Sequence, residues 1–160
     1  MFTQLTHVTN DKIDKEAEAA AMLVENTRKD ISEILRLTNI KKPDGITLFI
    51  AENWKYDFIR RLKDEMKKTR NAGEIIKALM SGDLKNYGQE ISKMVPKLIN
   101  DTAKVPSVIL DQDIEFHALD DFAYELKEEF KCDVEVIVAE NTKEQKAKQA
   151  SPSKAAILVE

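Results

Sequence analysis

At 160 residues, 42% hydrophobic and 34% charged, the chain is long enough for one ordinary core, and one main domain plus an appendage is expected. No apolar run is long enough to cross a bilayer, and the start, Met1-Phe2-Thr3-Gln4, lacks a basic segment followed by an apolar one, so neither a membrane protein nor a secretory signal is expected. Cys132 is the single cysteine and excludes an internal disulfide, which fits a reducing compartment and points to the cytoplasm.

The net charge of −4 conceals a segregation. Residues 53–104 hold twelve Lys/Arg against seven Asp/Glu, residues 111–140 hold two against eleven, and the final twenty hold four lysines against Glu144 and Glu160. An acidic total with a basic middle and a basic tail argues against indiscriminate nucleic-acid binding and leaves a specific polyanion partner open.

In chain order, a polar lead ends at Asn10 or Asp11, either of which can cap a long helix running to about Thr38. Ile13, Ala17, Ala20, Val24, Thr27, Ile31 and Ile34 step alternately by four and three, the narrow seam of a helix in a bundle. Nothing before Ile46 could supply the rest of such a bundle, so its partners are expected on another protomer or upstream; the alternative is a helix that folds back on its own domain. Lys42-Pro43-Asp44-Gly45 is turn chemistry. Residues 46–51 are almost continuously apolar, as a strand buried on both faces reads. The period then becomes helical through Trp54, Phe58, Ile59, Leu62 and Met66, with Asn53 placed to cap. Asn71-Ala72-Gly73-Glu74 resembles a capping box and starts a short helix ending at Gly82.

Leu84, Tyr87, Ile91, Met94 and Leu98 mark a further helix that Pro96 should kink or end. Residues 105–110 carry Pro106 and read as a linker with at most a short edge strand. Asp113 opens a helix with Phe116, Leu119, Phe122, Ala123, Leu126 and Phe130 as its stripe, followed by the strand Val134-Glu135-Val136-Ile137-Val138. Residues 140–154 are polar and show no buried period, and residues 155–160 read as a last strand. A polar loop this long between strands is expected to be functional or disordered. The fold class is therefore α/β: a long N-terminal helix, then a small domain with a sheet of about three strands covered by helices.

Catalytic constellations are hard to find. Gly45, Gly73, Gly82 and Gly88 never approach a phosphate-loop spacing, and His7, His117 and Cys132 form no metal-ligand set. His117 lies near Glu115 and Asp121, but with no nucleophile or second base it reads as a solvated helix residue. Cys132 reads as a packed or half-exposed thiol. Trp54 and Tyr56 could stack on bases, though Trp54 leads an apolar stripe and core packing is favoured. Lys93-Met94-Val95-Pro96-Lys97 resembles the Lys-Met-Ser-Lys-Ser loop of class I aminoacyl-tRNA synthetases but lacks both serines and any His-Ile-Gly-His partner. No catalytic or metal residue is assigned.

Three stretches together resemble the C-terminal region of archaeal- and eukaryotic-type leucyl-tRNA synthetases. They are Glu25-Asn26-Thr27-Arg28-Lys29-Asp30-Ile31 in the long helix, Ala51-Glu52-Asn53-Trp54-Lys55 at the strand-to-helix junction, and the ending Lys148-Gln149-Ala150-Ser151-Pro152-Ser153-Lys154-Ala155-Ala156-Ile157-Leu158-Val159-Glu160. The last is similar to the family's Gln-Ala-x-Pro-x-Lys-Pro-Ala-Ile-x-x-Glu, with Ala155 in place of a proline.

The resemblance implies that residues 1–42 are the last helix of an anticodon-binding bundle and that residues 43–160 are a C-terminal α/β tRNA-binding domain. It implies a chain inactive alone, whose parent leucine–tRNA ligase holds ATP and Mg in a distant core while this part holds the long variable arm of leucine tRNA. No cofactor is expected here. The contacts implied for the variable-arm tip fall on Ile157, Leu158, Val159 and Glu160; plain edge-strand packing is the alternative for them. On physical grounds Lys143, Lys146, Lys148 and Lys154 can neutralise phosphates, in a loop that RNA would order. The implied partners are leucine tRNA and the rest of the synthetase polypeptide. The rival is a free-standing interaction module that self-associates through residues 13–35 and meets a basic partner through the acidic helix 114–130.

Overall fold

The computed structural model describes residues 2–160, with side chains described from Lys12 onward. The α/β architecture divides into two compact units, one formed by the residues up to Glu52 with Leu110–Glu160 and the other by Asn53–Ile109.

The first unit is built on a sheet of three strands, β1 (Gly45–Ile50), β2 (Asp133–Val138) and β3 (Ala156–Val159), in the order β2-β1-β3. β1 runs parallel to β2 from Gly45↔Asp133 to Ile50↔Val138 and antiparallel to β3 from Ile46↔Val159 to Phe49↔Ala156. Its central position explains its continuous apolar sequence: Leu48, Phe49 and Ile50 are all buried. Two helices complete the unit: α1 (Phe2–Thr38) packs on the long helix Gln112–Phe130, which in turn packs on β2 and β1.

α1 begins at Phe2, well before the caps read at Asn10 and Asp11. Its seam is also shifted. Leu23, Thr27 and Ile31 are the buried residues, while Ile13 and Met22 are 57% and 63% exposed. Thr27 is tolerated inside because its hydroxyl donates to the Leu23 carbonyl at 2.7 Å. The helix ends at Asn39, whose φ of 58° is left-handed. The Ile40 N–H reaches the Leu35 carbonyl and the Asn39 N–H that of Arg36, a Schellman closure in which asparagine stands where glycine is commonest.

The second unit contains α2 (Asn53–Met66), α3 (Ala72–Leu79), a 3₁₀ turn over Gly82–Tyr87, α4 (Gly88–Asn100) and a short turn at Thr102–Lys104. α2, α3, the turn Gly82–Tyr87 and α4 converge on Phe58, Ile59, Leu62, Ile75, Leu79, Leu84, Ile91 and Val95, each at most 2% exposed. Burial of each such side chain is worth about 1.5–3 kcal/mol before entropy is counted.

Asn71 caps α3 through a hydrogen bond from the Glu74 N–H at 3.0 Å. The reciprocal half of a capping box is replaced: Glu74 accepts from the Thr69 hydroxyl, which itself accepts from the Asn71 N–H. Two expectations are corrected here. α4 does not end at Pro96 but continues to Asn100, because proline removes only one N–H and the Ser92 backbone it crowds lies on an exposed turn. Leu84 and Tyr87 belong to the separate 3₁₀ turn rather than to α4. Residues 105–110 form no strand.

Candidate functional site

The basic segment 140–154 is folded. A 3₁₀ turn at Ala139–Asn141 leaves β2, a second covers Gln145–Gln149, and an isolated bridge pairs Ser151 with Lys154 before β3 begins. Small side chains make the packing: Ala147 and Ala150 are 1% and 0% exposed, and Pro152, Ala155 and Ala156 are buried. Alanine and proline carry too little hydrophobic signal to show a period. The segment therefore reads as an open loop in sequence although its backbone is fixed.

Two polar ties hold the segment to the helix Gln112–Phe130, hereafter α5. Gln112 donates its amide to the Ala51 carbonyl at 2.8 Å and to a Glu140 carboxylate oxygen at 2.9 Å, joining the end of β1 to the start of the segment. Near its other end Glu115, 2% exposed, accepts the Ser153 N–H at 2.8 Å. Ser153 has φ of 73°, a left-handed conformation that costs a non-glycine residue roughly 1–2 kcal/mol. A charge-assisted hydrogen bond to a buried carboxylate is the right size to offset that cost.

Sequence reasoning placed Phe116 on the buried stripe and missed Glu115. The signal was present: Glu115, Leu119, Phe122 and Leu126 follow a four-three-four spacing on one helical face.

The predicted contact residues sit along this folded edge. Lys143, Lys148 and Lys154 are exposed and Lys146 is half-buried. The turn bearing Lys146 and Lys148 packs beside β3. None of Lys143, Lys146 and Lys154 has a carboxylate partner among the described residues. Of the four tail residues Ile157 is buried, Leu158 and Val159 are half-buried and Glu160 is exposed. The Glu160 backbone is engaged: its N–H donates to the Gly45 carbonyl at 2.9 Å, and its carbonyl accepts from Asp44 and Gly45. β1 thus occupies one edge of β3, leaving the exposed side chain of Glu160 and the half-buried ones of Leu158 and Val159 as its accessible groups.

The other chemistry-bearing residues lie apart. His117 is exposed on α5 with its ring edge-on to Phe116. Burial, with the neighbouring Asp133 charge second, pushes the Cys132 thiol up, so it is a poor thiolate. Tyr56 is buried, and the half-buried Trp54 stacks on Tyr87 at 4.3 Å within its own unit, so packing takes up the first ring and one face of the second. The side chain of His7 lies outside the described residues. Among the described residues no group of three His, Cys, Asp or Glu could hold a metal ion, and no helix is long and apolar enough to cross a membrane.

Comparison with known proteins gives a consistent family. The chain is 33% identical over 159 residues to the leucine–tRNA ligase of Methanosarcina barkeri, covering 92% of this chain and 16% of that protein. It is 32% identical over 156 residues to that of Methanocaldococcus jannaschii (94% and 14%), and 29% identical over 153 residues to that of Halobacterium salinarum (95% and 16%). No family model matches the chain. The chain spans about a sixth of the length of these curated relatives, as expected for a C-terminal region of such an enzyme.

Proposed function

From the premise that this chain is homologous to archaeal leucine–tRNA ligases over nearly its whole length, we propose that it is the tRNA-binding C-terminal part of a leucyl-tRNA synthetase. In this reading it performs no chemistry. It holds the long variable arm of leucine tRNA so that the acceptor end reaches a catalytic or editing centre elsewhere in the parent polypeptide, where ATP and Mg would be bound. Lys143, Lys146, Lys148 and Lys154 would neutralise phosphates, and the accessible groups of Leu158, Val159 and Glu160 would meet bases at the arm's tip, with the buried Ile157 holding the strand that presents them.

The observation that carries the reading is the similarity along 92–95% of the chain. Geometry supports it at one point: the turn bearing Lys146 and Lys148 is folded against β3, so an RNA would meet a preformed surface there and less ordering entropy would oppose binding than with a free loop.

The test is binding to leucine tRNA with and without its variable arm, at two salt concentrations. Arm-dependent binding that weakens with salt is expected, with Lys→Ala changes at the four positions each lowering the salt slope by about one. Equal affinity for both RNAs, or four alanines without effect, would overturn the assignment.

The rival, self-association through the long helix, draws on the exposed Ile13 and Met22. Leu23, Thr27 and Ile31 are already buried in a helix that packs on α5, so that part of the seam is not open to a second copy. A concentration-dependent dimer without RNA affinity would favour it.

A further inference from the structure

The second unit carries a basic groove that the variable-arm contact does not use. It is open, about 740 Å³ in volume, and runs between the C-terminal end of α2 and the segment 102–107. Lys63, Lys67, Lys68 and Arg70 line it, and no carboxylate does. Met66, Val105 and Pro106 give it an apolar wall, continuous with the core of that unit through Met66 and Val105. Lys63 fixes the two sides to each other by donating to the Ser107 carbonyl at 2.8 Å, and its ammonium keeps two further donors.

The competing charges are weak. Lys67 and Lys68 approach Asp64 and Glu65 at 3.8 and 3.4 Å, but both lysines are more than 70% exposed, and such pairs contribute at most about 1 kcal/mol and are screened by salt. The C-terminal end of α2 presents roughly half a negative charge, which four side-chain cations outweigh. The Thr69 hydroxyl is taken up by Glu74 and the Asn71 N–H, but a groove with several cations, an apolar wall and hydroxyls at Thr102 and Ser107 suits a repeating anion attached to flat, less polar groups.

We propose that the groove formed by Lys63, Lys67, Lys68 and Arg70 binds the sugar–phosphate backbone of RNA without regard to base identity, as a second contact for the same tRNA. This rests on the RNA-binding reading above. Phosphates would pair with the four cations, while riboses or unstacked bases lie on Met66, Val105 and Pro106. Such a contact adds affinity and orientation rather than sequence preference.

The experiment titrates leucine tRNA into the whole chain across a salt series, using wild type, the groove pair Lys67→Ala with Arg70→Ala, and a control pair, Lys85→Ala with Lys93→Ala. The control removes the same charge from exposed positions of the same unit, outside the groove. The expected result is a salt slope lower by about two and an affinity loss on the order of tenfold for the groove pair, unchanged when the bases at the arm's tip are altered, with the control near wild type. If wild type binds arm-dependently and the groove pair matches it, the groove is not a contact and the variable-arm reading survives. No binding by wild type at low salt removes both proposals. Equal losses in groove and control pairs would show net charge acting at a distance, and displacement of the RNA by polyglutamate at equal charge concentration would assign the groove to acidic proteins. Either result overturns the proposal.

Discussion

The two units reach stability by opposite routes. The sheet unit joins distant segments: β1 at residues 45–50 finds its parallel partner at 133–138 and its antiparallel partner at 156–159, and polar ties from Gln112 and Glu115 fix the connections. The helical unit is one uninterrupted stretch, Asn53–Ile109, closed around eight apolar side chains and set locally by caps. Long-range pairing places the tail against residues distant in sequence, whereas local helical packing sets the groove within a single stretch of chain. The proposed roles follow that division: the tail that would meet particular bases lies on the first unit, and the base-blind groove on the second.

The largest effect that could break this comparison comes from matched core deletions. Phe49→Ala removes a 1% exposed ring from β1, and Leu62→Ala a 0% exposed side chain from α2; each should cost about 2–5 kcal/mol. Amide hydrogen exchange should separate them. Phe49→Ala is expected to release β1, β2 and β3 while α3 and α4 stay protected, and Leu62→Ala to do the reverse. Matching loss of protection throughout, for both variants, would mean that the units unfold as one.

A smaller effect sharpens the role of polar ties. Glu115→Ala leaves the Ser153 N–H without its acceptor in a left-handed residue and should cost about 1–3 kcal/mol. Exchange at the amides of 151–154 should rise far more than in the second unit. Glu115→Gln keeps an acceptor and should recover most of the loss. If both variants behaved alike, the carboxylate charge would be what matters rather than the hydrogen bond.

Those two changes also mark what could and could not be seen in sequence. Phe49 was legible: the almost continuously apolar stretch 46–51 before a period change reads as a strand buried on both faces, and the strand at 134–138 and the closing 156–159 were marked by β-branched and apolar residues. The acidic helix was legible from its stripe. Hidden were the features built from residues with weak signals. Ala147 and Ala150 anchor the segment before β3 with single methyl groups, and the polar residues between them masked it as a loop. Glu115 sits on the buried face but was read for its charge. In α1, Leu23 lies one residue from Val24, so two seams fit the spacing equally well and only the position of α5 selects between them. The groove was invisible for another reason: Lys63 to Arg70 and Val105 to Ser107 meet only through the fold.

The smallest effect is the most local. Asn71→Ala removes the side-chain oxygen that accepts the Glu74 N–H, and a lost cap of this kind costs about 1 kcal/mol. In a chain of this length that lowers Tm by roughly 2–4 °C. The change should appear as faster exchange in the first turn of α3 and leave the amides of β3 untouched, because the cap works within six residues through Thr69, Asn71 and Glu74. The contrast with Glu115, which spans 38 residues to reach Ser153, is the comparison in miniature. If Asn71→Ala loosened the sheet as much as Glu115→Ala, the helical unit would not be locally determined, and its groove could no longer be treated as a surface independent of the edge that carries the tail.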